Sequence, residues 1–305
     1  MFSFSHLSSL FSAVIATVSL STPLDLLAEE VPQSLRLRWL PGYIYTQETL
    51  TETTTSLTAI GKPEDQKMKV IQTTLIDVVG HESGEKRAKV CFKSLTGEVS
   101  LQGKKHTFDS ADLSRADPMI KASVGQSVGK TFVLAYGPDD QFIEVRDSSS
   151  LSSSPDGIVA LDQIAEAKQV ADLYRRSLEM GLPKMAVKTG DRWTAQESVD
   201  FPSAGMVHVE LHAKMDAIAD YAGRRHAKIT FEGEMKRAND SVGTRMVTLG
   251  NGSKTFGQVL FDLEYGSVSY GAFRADIKLE IGGKIVPVRQ QVTTRLVSLV
   301  KKKAS

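Results

Sequence analysis

The chain has a single cysteine, two tryptophans and ten prolines among its 305 residues, and almost no net charge. One cysteine, Cys91, excludes an intramolecular disulfide and with it any disulfide-stapled scaffold. The formal charge of +1, from 37 Lys+Arg against 36 Asp+Glu, excludes the positive footprint of a dedicated nucleic-acid binder. After the N-terminus no stretch reaches the roughly 18 uninterrupted apolar residues of a membrane-spanning helix, so no span is expected in the mature form. What remains is 41% hydrophobic and 24% charged, a globular balance with room for one large β domain or two smaller ones.

The N-terminus supplies a compartment signal. Leu7 to Leu20 is an apolar run of signal-peptide length, followed by small-residue cleavage positions after Ser21 or Ala28. It has no Lys or Arg before Arg36. The expectation is a signal peptide over 1–28 and a periplasmic or secreted mature protein.

Period-two alternation dominates after residue 35. Phe273, Ala275, Ile277, Leu279 and Ile281 oppose Arg274, Asp276, Lys278 and Glu280; Val207, Val209, Leu211, Ala213 and Met215 oppose His208, Glu210, His212, Lys214 and Asp216. Such alternation marks antiparallel strands with one solvated face. Turn residues punctuate them at Gly61–Asp65, Gly80–Gly84, Gly137–Asp140, Asp220–Gly223 and Gly282-Gly283, which predicts about a dozen strands. The exception is central. A Ser-rich linker over 148–157 precedes Leu161, Ile164, Ala167, Ala171, Tyr174 and Leu178 at helical spacing, stopped by Gly181 and Pro183. This predicts an amphipathic helix over 158–182 between β-rich halves at 29–147 and 183–300, with a basic tail at 301–305. A second, shorter helix is predicted over Ser110 to Ala122. Gly129-Lys130-Thr131-Phe132 and Gly190-Asp191-Arg192-Trp193 each place an aromatic at a strand start, one in each half.

Motifs that resemble catalytic signatures fail on context. Gly125-Gln126-Ser127-Val128-Gly129 matches the nucleophile elbow in letters, but an elbow needs strand, turn, then helix, and here a strand follows the turn. Ser127-Val128-Gly129-Lys130 and Lys188-Thr189-Gly190 match fragments of the penicillin-binding signature, without the third triplet that the chemistry needs. Gly129-Lys130-Thr131 resembles the end of a P-loop, but Val124 stands where its first glycine belongs. His208, Glu210 and His212 share one strand face, where the outer pair lies about 13 Å apart, too far for one metal ion. His226, beside Arg224 and Arg225, could approach from the next strand, which keeps a zinc or copper site as the minority reading. No catalytic residue, metal or cofactor is expected; a serine hydrolase acting through Ser127 is the weakest reading.

Four strings together resemble an uncharacterised family of exported bacterial β-rich proteins, a domain of unknown function. They are Leu37-Arg38-Trp39-Leu40-Pro41-Gly42-Tyr43-Ile44-Tyr45; Val128–Phe132 followed by Phe142-Ile143-Glu144-Val145; Pro183 leading to Val187–Trp193; and Phe261-Asp262-Leu263-Glu264-Tyr265-Gly266. The glycine usual before the Phe142 strand is here replaced by Asp140-Gln141. The resemblance spans residues 35 to 300 and implies curved antiparallel sheets, similar in outline to periplasmic lipoprotein-carrier half-barrels. It carries no catalytic residues.

The expected fold is therefore mainly β (α+β): a large curved antiparallel sheet, or two related sheets, around one long amphipathic helix. The expected function is a non-catalytic envelope protein binding an apolar or amphiphilic ligand, such as lipid, in the concave face. Trp193, Phe132 and Tyr174 are the candidate lining residues. The alternative is a structural or protein-interaction module of the envelope without a small ligand.

Overall fold

The computed structural model describes residues 31–101, 103–147, 167–179, 181–201, 205–237 and 247–303. Pro32–Ser305 forms one compact unit. The proposed signal peptide, the Ser-rich linker and residues 158–166 of the predicted helix lie outside the described residues.

The strands are β1 (Tyr43–Thr55), β2 (Gln66–Gly80), β3 (Lys86–Leu101), β4 (Lys104–Asp109), β5 (Thr131–Tyr136), β6 (Phe142–Arg146), β7 (Arg192–Phe201), β8 (Gly205–Tyr221), β9 (Arg224–Arg237), β10 (Val247–Leu249), β11 (Ser253–Asp262), β12 (Ser267–Ile281) and β13 (Lys284–Lys301). They form one antiparallel sheet in the order β6-β5-β3-β2-β1-β13-β12-β11-β9-β8-β7, with β4 on β3 and β10 on β12. The two halves are thus one sheet. They join where β1 pairs β13, from Tyr43 opposite Lys301 to Thr55 opposite Val288. The sheet does not close, because β6 and β7 each pair on one side only.

Turn chemistry sets the registers. Ala222-Gly223 and Gly282-Gly283 hold positive φ at both central positions, as a two-residue hairpin with matched twist requires. The β12–β13 ladder then runs from Ile281 opposite Lys284 to Tyr270 opposite Arg295. On the outer face charges pair across strands, as in Lys69–Glu52 at 2.9 Å and Arg289–Asp276 at 3.0 Å. Such exposed pairs contribute little stability individually.

Helix α1 spans Pro118–Ser127 and α2 spans Ala167–Glu179. The helix expected from Ser110 starts later because Asp109 and Asp112 each accept a backbone N–H two residues on, from Ala111 and Ser114. Those Asx turns compete with helix, and Pro118 opens the helix at the first position its ring tolerates. α1 and β4 cover one corner of the inner face through Val70, Leu95, Val99, Phe108, Ile120 and Val124. The long amphipathic helix is described only over the thirteen residues of α2. Its stop is as expected: Gly181 takes φ +77° and the Leu182 N–H donates to Glu179 O.

α2 reaches both free edges of the sheet. Arg175 lies over the Phe142 ring of β6 at 4.6 Å, while Arg176 donates to Glu197 and to the Ser198 carbonyl of β7 at 3.1 and 2.9 Å. Laid flat, the eleven-strand path would span about 48 Å, against about 20 Å for a helix of this length. One helix can touch both edges only if the sheet curls around it.

A second tie crosses one end. Leu35, Leu37 and Trp39 alternate inward, the first two into the cluster of Leu211, Ile229 and Phe261, and Trp39 into that of Ile76, Val90, Phe132 and Tyr136. The Trp39 N–H donates to Asp140 in the β5–β6 turn, and Arg38 to the carbonyls of Leu263 and Glu264 in the β11–β12 turn. Asp140 is fixed in turn by Lys86 at 2.7 Å, a largely buried pair. At the C-terminus, Lys301 ends β13 and Lys302 pairs with Asp77, so the expected solvated tail is anchored to the sheet through those two lysines.

Packing is tight where Phe231 crosses Gly257. A Cβ on Gly257 would lie 2.3 Å from Phe231 Cζ and 2.9 Å from the Ala272 carbonyl. Gly257→Ala should therefore destabilise by about 1–3 kcal/mol in urea unfolding. The cost should shrink in a Phe231→Leu background; an equal cost in both backgrounds would show that the ring is not what excludes the methyl group.

Candidate functional site

The inner face is apolar at its two ends and polar across its middle. β1 turns Tyr45, Gln47 and Thr49 inward, β2 answers with Ile76, Thr74 and Gln72, and β13 with Leu299, Leu296 and Thr294. Gln47 and Thr74 are nearly fully buried, at 7% and 3% exposure. The stripe bonds partly to itself: Thr49 and Thr294 hydroxyls lie 3.0 Å apart, and Gln72 Nε2 donates to Thr74 at 3.4 Å.

Above the stripe lies α2, which buries Ala171 and packs Tyr174 and Leu178 onto the sheet. The Tyr174 hydroxyl donates to Gln47 Oε1 at 2.8 Å. Between helix and sheet is a cavity of about 180 Å³. Its polar wall is Gln47, Gln72, Thr74 and Thr294, its apolar wall Phe231 and Phe273, with Tyr174 and Leu178 as roof. Among the described residues no Asp, Glu, Lys, Arg or His lines it. The chemistry available is hydrogen bonding by neutral groups next to apolar surface.

Of the three residues expected to line a site, Tyr174 alone reaches this cavity. Phe132 is fully buried in the core, its ring edge against Tyr174 at 5.8 Å, so it supports the roof. Trp193 starts β7 and donates its indole N–H to the Gly181 carbonyl at 3.0 Å, which ties the end of α2 to the sheet. It borders a separate open depression with His212, Lys214 and Phe256. Gln47, Gln72, Thr74, Thr294 and Phe231 were not anticipated. The available signal was β1 itself, where Gln47 to Thr55 is polar on both faces although the strand is central.

The other motifs fall elsewhere. Ser127 is the last residue of α1 and the chain continues through Gly129 into β5, so the order is helix, turn, strand; its side chain is outside the described residues. On β8, His208 bonds Ser198 at 2.8 Å and His212 lies 3.3 Å from Glu210, all on the solvated face. Among the described residues no group of three or more His, Cys, Asp and Glu could hold a metal. His226 lies far along β9 from these, opposite Ala219, and is fully buried. Its Nε2 is 2.8 Å from Ser269 Oγ and 3.6 Å from Asp262, while Nδ1 faces the Arg224 carbonyl. A catalytic relay needs the serine and the carboxylate on opposite ring nitrogens, and here both meet the same one. Burial raises the Asp262 pKa, but the Tyr265 N–H and the Arg224 guanidinium outweigh it and hold the carboxyl below its usual range. This cluster fixes the β11–β12 turn to which Arg38 binds.

The fold defines a class: a large, curved, open antiparallel sheet enclosing a small cavity under a helix. Among solved structures the chain is similar to lipovitellin, in a structure described for its lipid–protein interactions, with TM-score 0.51 and 10% identity. The match covers 88% of this chain and 26% of that one, so the chain spans about a quarter of lipovitellin's length. A beta-barrel-like protein of a domain of unknown function from Brucella abortus aligns over 88% of this chain and 100% of its own at 10% identity, with TM-score 0.24. No family model and no curated protein matches the chain. Among the described residues no helix is long and apolar enough to cross a membrane.

Three tyrosines report on the closure. Burial pushes the Tyr45 hydroxyl up to about 12, partly offset by the Leu40 N–H that it accepts, and burial raises Tyr136 and Tyr174 as well. In the unfolded chain they ionise near 10. Their neutral forms therefore contribute stability that is complete below pH 10 and is lost as pH rises toward 12. Tyrosinate absorbance should show these three ionising only together with alkaline unfolding; their titration in a still-folded protein would contradict the burial. Tyr174→Phe, which strands Gln47, should cost about 1–2 kcal/mol at pH 7.

Proposed function

We propose that this protein is a non-catalytic, exported envelope protein that binds an apolar or amphiphilic ligand on its concave face beneath α2. The observation that carries the reading is the cavity between α2 and the polar stripe, enclosed and partly lined by apolar side chains. Sites for small ligands are usually of this kind, concave and apolar with a few convergent polar groups. The similarity in fold to lipovitellin, a structure described for its lipid–protein interactions, supports it. The Leu7–Leu20 segment supports export.

A second reading is favoured by one observation. The cavity, at about 180 Å³, falls below the roughly 300 Å³ at which drug-sized ligand sites begin. On this reading α2 is itself the filling, and the protein is a structural or interaction module of the envelope without small ligand.

The two readings separate on protein purified from its native envelope, extracted and analysed by mass spectrometry. Copurifying amphiphile near one per chain, lost on filling the cavity with Thr294→Trp, is expected for the binding protein. A protein free of lipid that retains a partner chain would favour the module.

A further inference from the structure

Resting on the binding reading above, we infer that the ligand is an uncharged amphiphile whose polar group is buried on the Gln47–Gln72–Thr74–Thr294 stripe, with its chain running along β12 and β13.

The polar group is placed by unspent hydrogen-bonding capacity. Gln47 is 7% exposed and uses Oε1 to accept from Tyr174, yet its Nε2 has no partner among the described residues. Gln72 uses Nε2 toward Thr74, and its Oε1 has no partner among them. Both glutamines line one cavity, and a group that both gives and takes a hydrogen bond would engage the open donor of one and the open acceptor of the other. A hydroxyl or a primary amide does this; a carboxylate only accepts and an ammonium only donates.

Charge is excluded by the same wall. With no charged side chain lining the cavity among the described residues, a carboxylate, phosphate or ammonium there would lose its hydration without gaining a counter-charge.

The chain is placed by the strands that continue from the cavity. Phe273 and Val292, opposite each other, line it; Ala275 opposite Gln290, Ile277 opposite Val288 and Leu279 opposite Val286 follow on the same face, with Gln290 turned aside to donate to Thr53. Ile277, Leu279 and Val288 are only half-buried. From Phe273 to Leu279 this face runs about 20 Å along the strand, apolar apart from Gln290 and closed over at its far end by the burial of Val286. It accepts what the cavity is too small to hold.

Decanol, decanoate and decylammonium share a chain and differ in head charge. Calorimetric titration at pH 8 should show decanol binding at least about tenfold tighter than either ion, and decanoate should gain affinity as pH falls through the carboxylate range. Gln72→Leu should reduce decanol affinity about tenfold, the scale of one hydrogen bond, and Gln72→Lys should reverse the order in favour of decanoate. Thr294→Val serves as the second stripe variant should either of these unfold. Equal binding of all three amphiphiles, or a preference for decanol unchanged by every stripe variant, would overturn the inference while leaving the proposed function standing. No binding of any of them by the unaltered protein would instead contradict the proposed function itself.

Discussion

Everything in this molecule follows from an antiparallel sheet that has an apolar inner face and two edges that never meet. A sheet of this size left open would expose its inner side chains to water and offer two unpaired strands to any neighbour. The remedy is lateral closure by side chains instead of a backbone ladder. Arg175 and Arg176, adjacent on α2, reach the opposite edges at Phe142 and at Glu197 and Ser198. Ala171, Tyr174 and Leu178, on the same helix, are packed onto the inner face. The Leu35–Trp39 segment repeats the device at one end, with apolar side chains inward and polar contacts to two separate turns. Trp193 and Phe231 secure the end of the helix, the first through the Gly181 carbonyl and the second by lying against Gly181 and over Gly257.

Closure of this kind differs from a hydrogen-bonded barrel in what it permits. A backbone ladder would join the edges by many bonds, whereas here they are joined through the side chains of one helix: Arg175, Arg176 and Tyr174, with Trp193 at its end. The polar stripe lies directly beneath that cover. A Gln and Thr band in the middle of a buried face is a poor choice for stability alone, because apolar residues of similar size would leave no amide to satisfy. Its presence under a helix, rather than under a continuous ladder, is the feature on which the proposed ligand binding rests.

Much of this was legible in the residues. Alternation located most of β8 and the C-terminal two thirds of β12, and the glycine turns located the hairpins, because a one-faced strand and a two-residue turn are local properties of the sequence. The stop of α2 at Gly181 was local in the same sense. The pairing of β1 with β13 was not, since Thr49 and Thr294 meet across most of the chain and no local pattern encodes a neighbour so distant. Three short or irregular strands, β4, β10 and β11, were hidden by weak alternation; β11 carries Gly257 where an inward side chain would be looked for. The site suffered most. Tyr174 was readable as an inward helix position, but Trp193 and Phe132 are large aromatics that pack instead of lining the cavity. Gln47 and Gln72 carry no local signal of the inner face, which only the strand register shows.

Native-state hydrogen exchange tests the closure most directly. If α2 is the clasp, the amides of α2, β6 and β7 should open in one sub-global event, well before the central strands β1, β13 and β12. Arg175→Ala with Arg176→Ala should then lower protection in all three segments together and leave the central strands unchanged. Protection of β6 and β7 that is indifferent to the double substitution, or that opens independently of α2, would contradict the account.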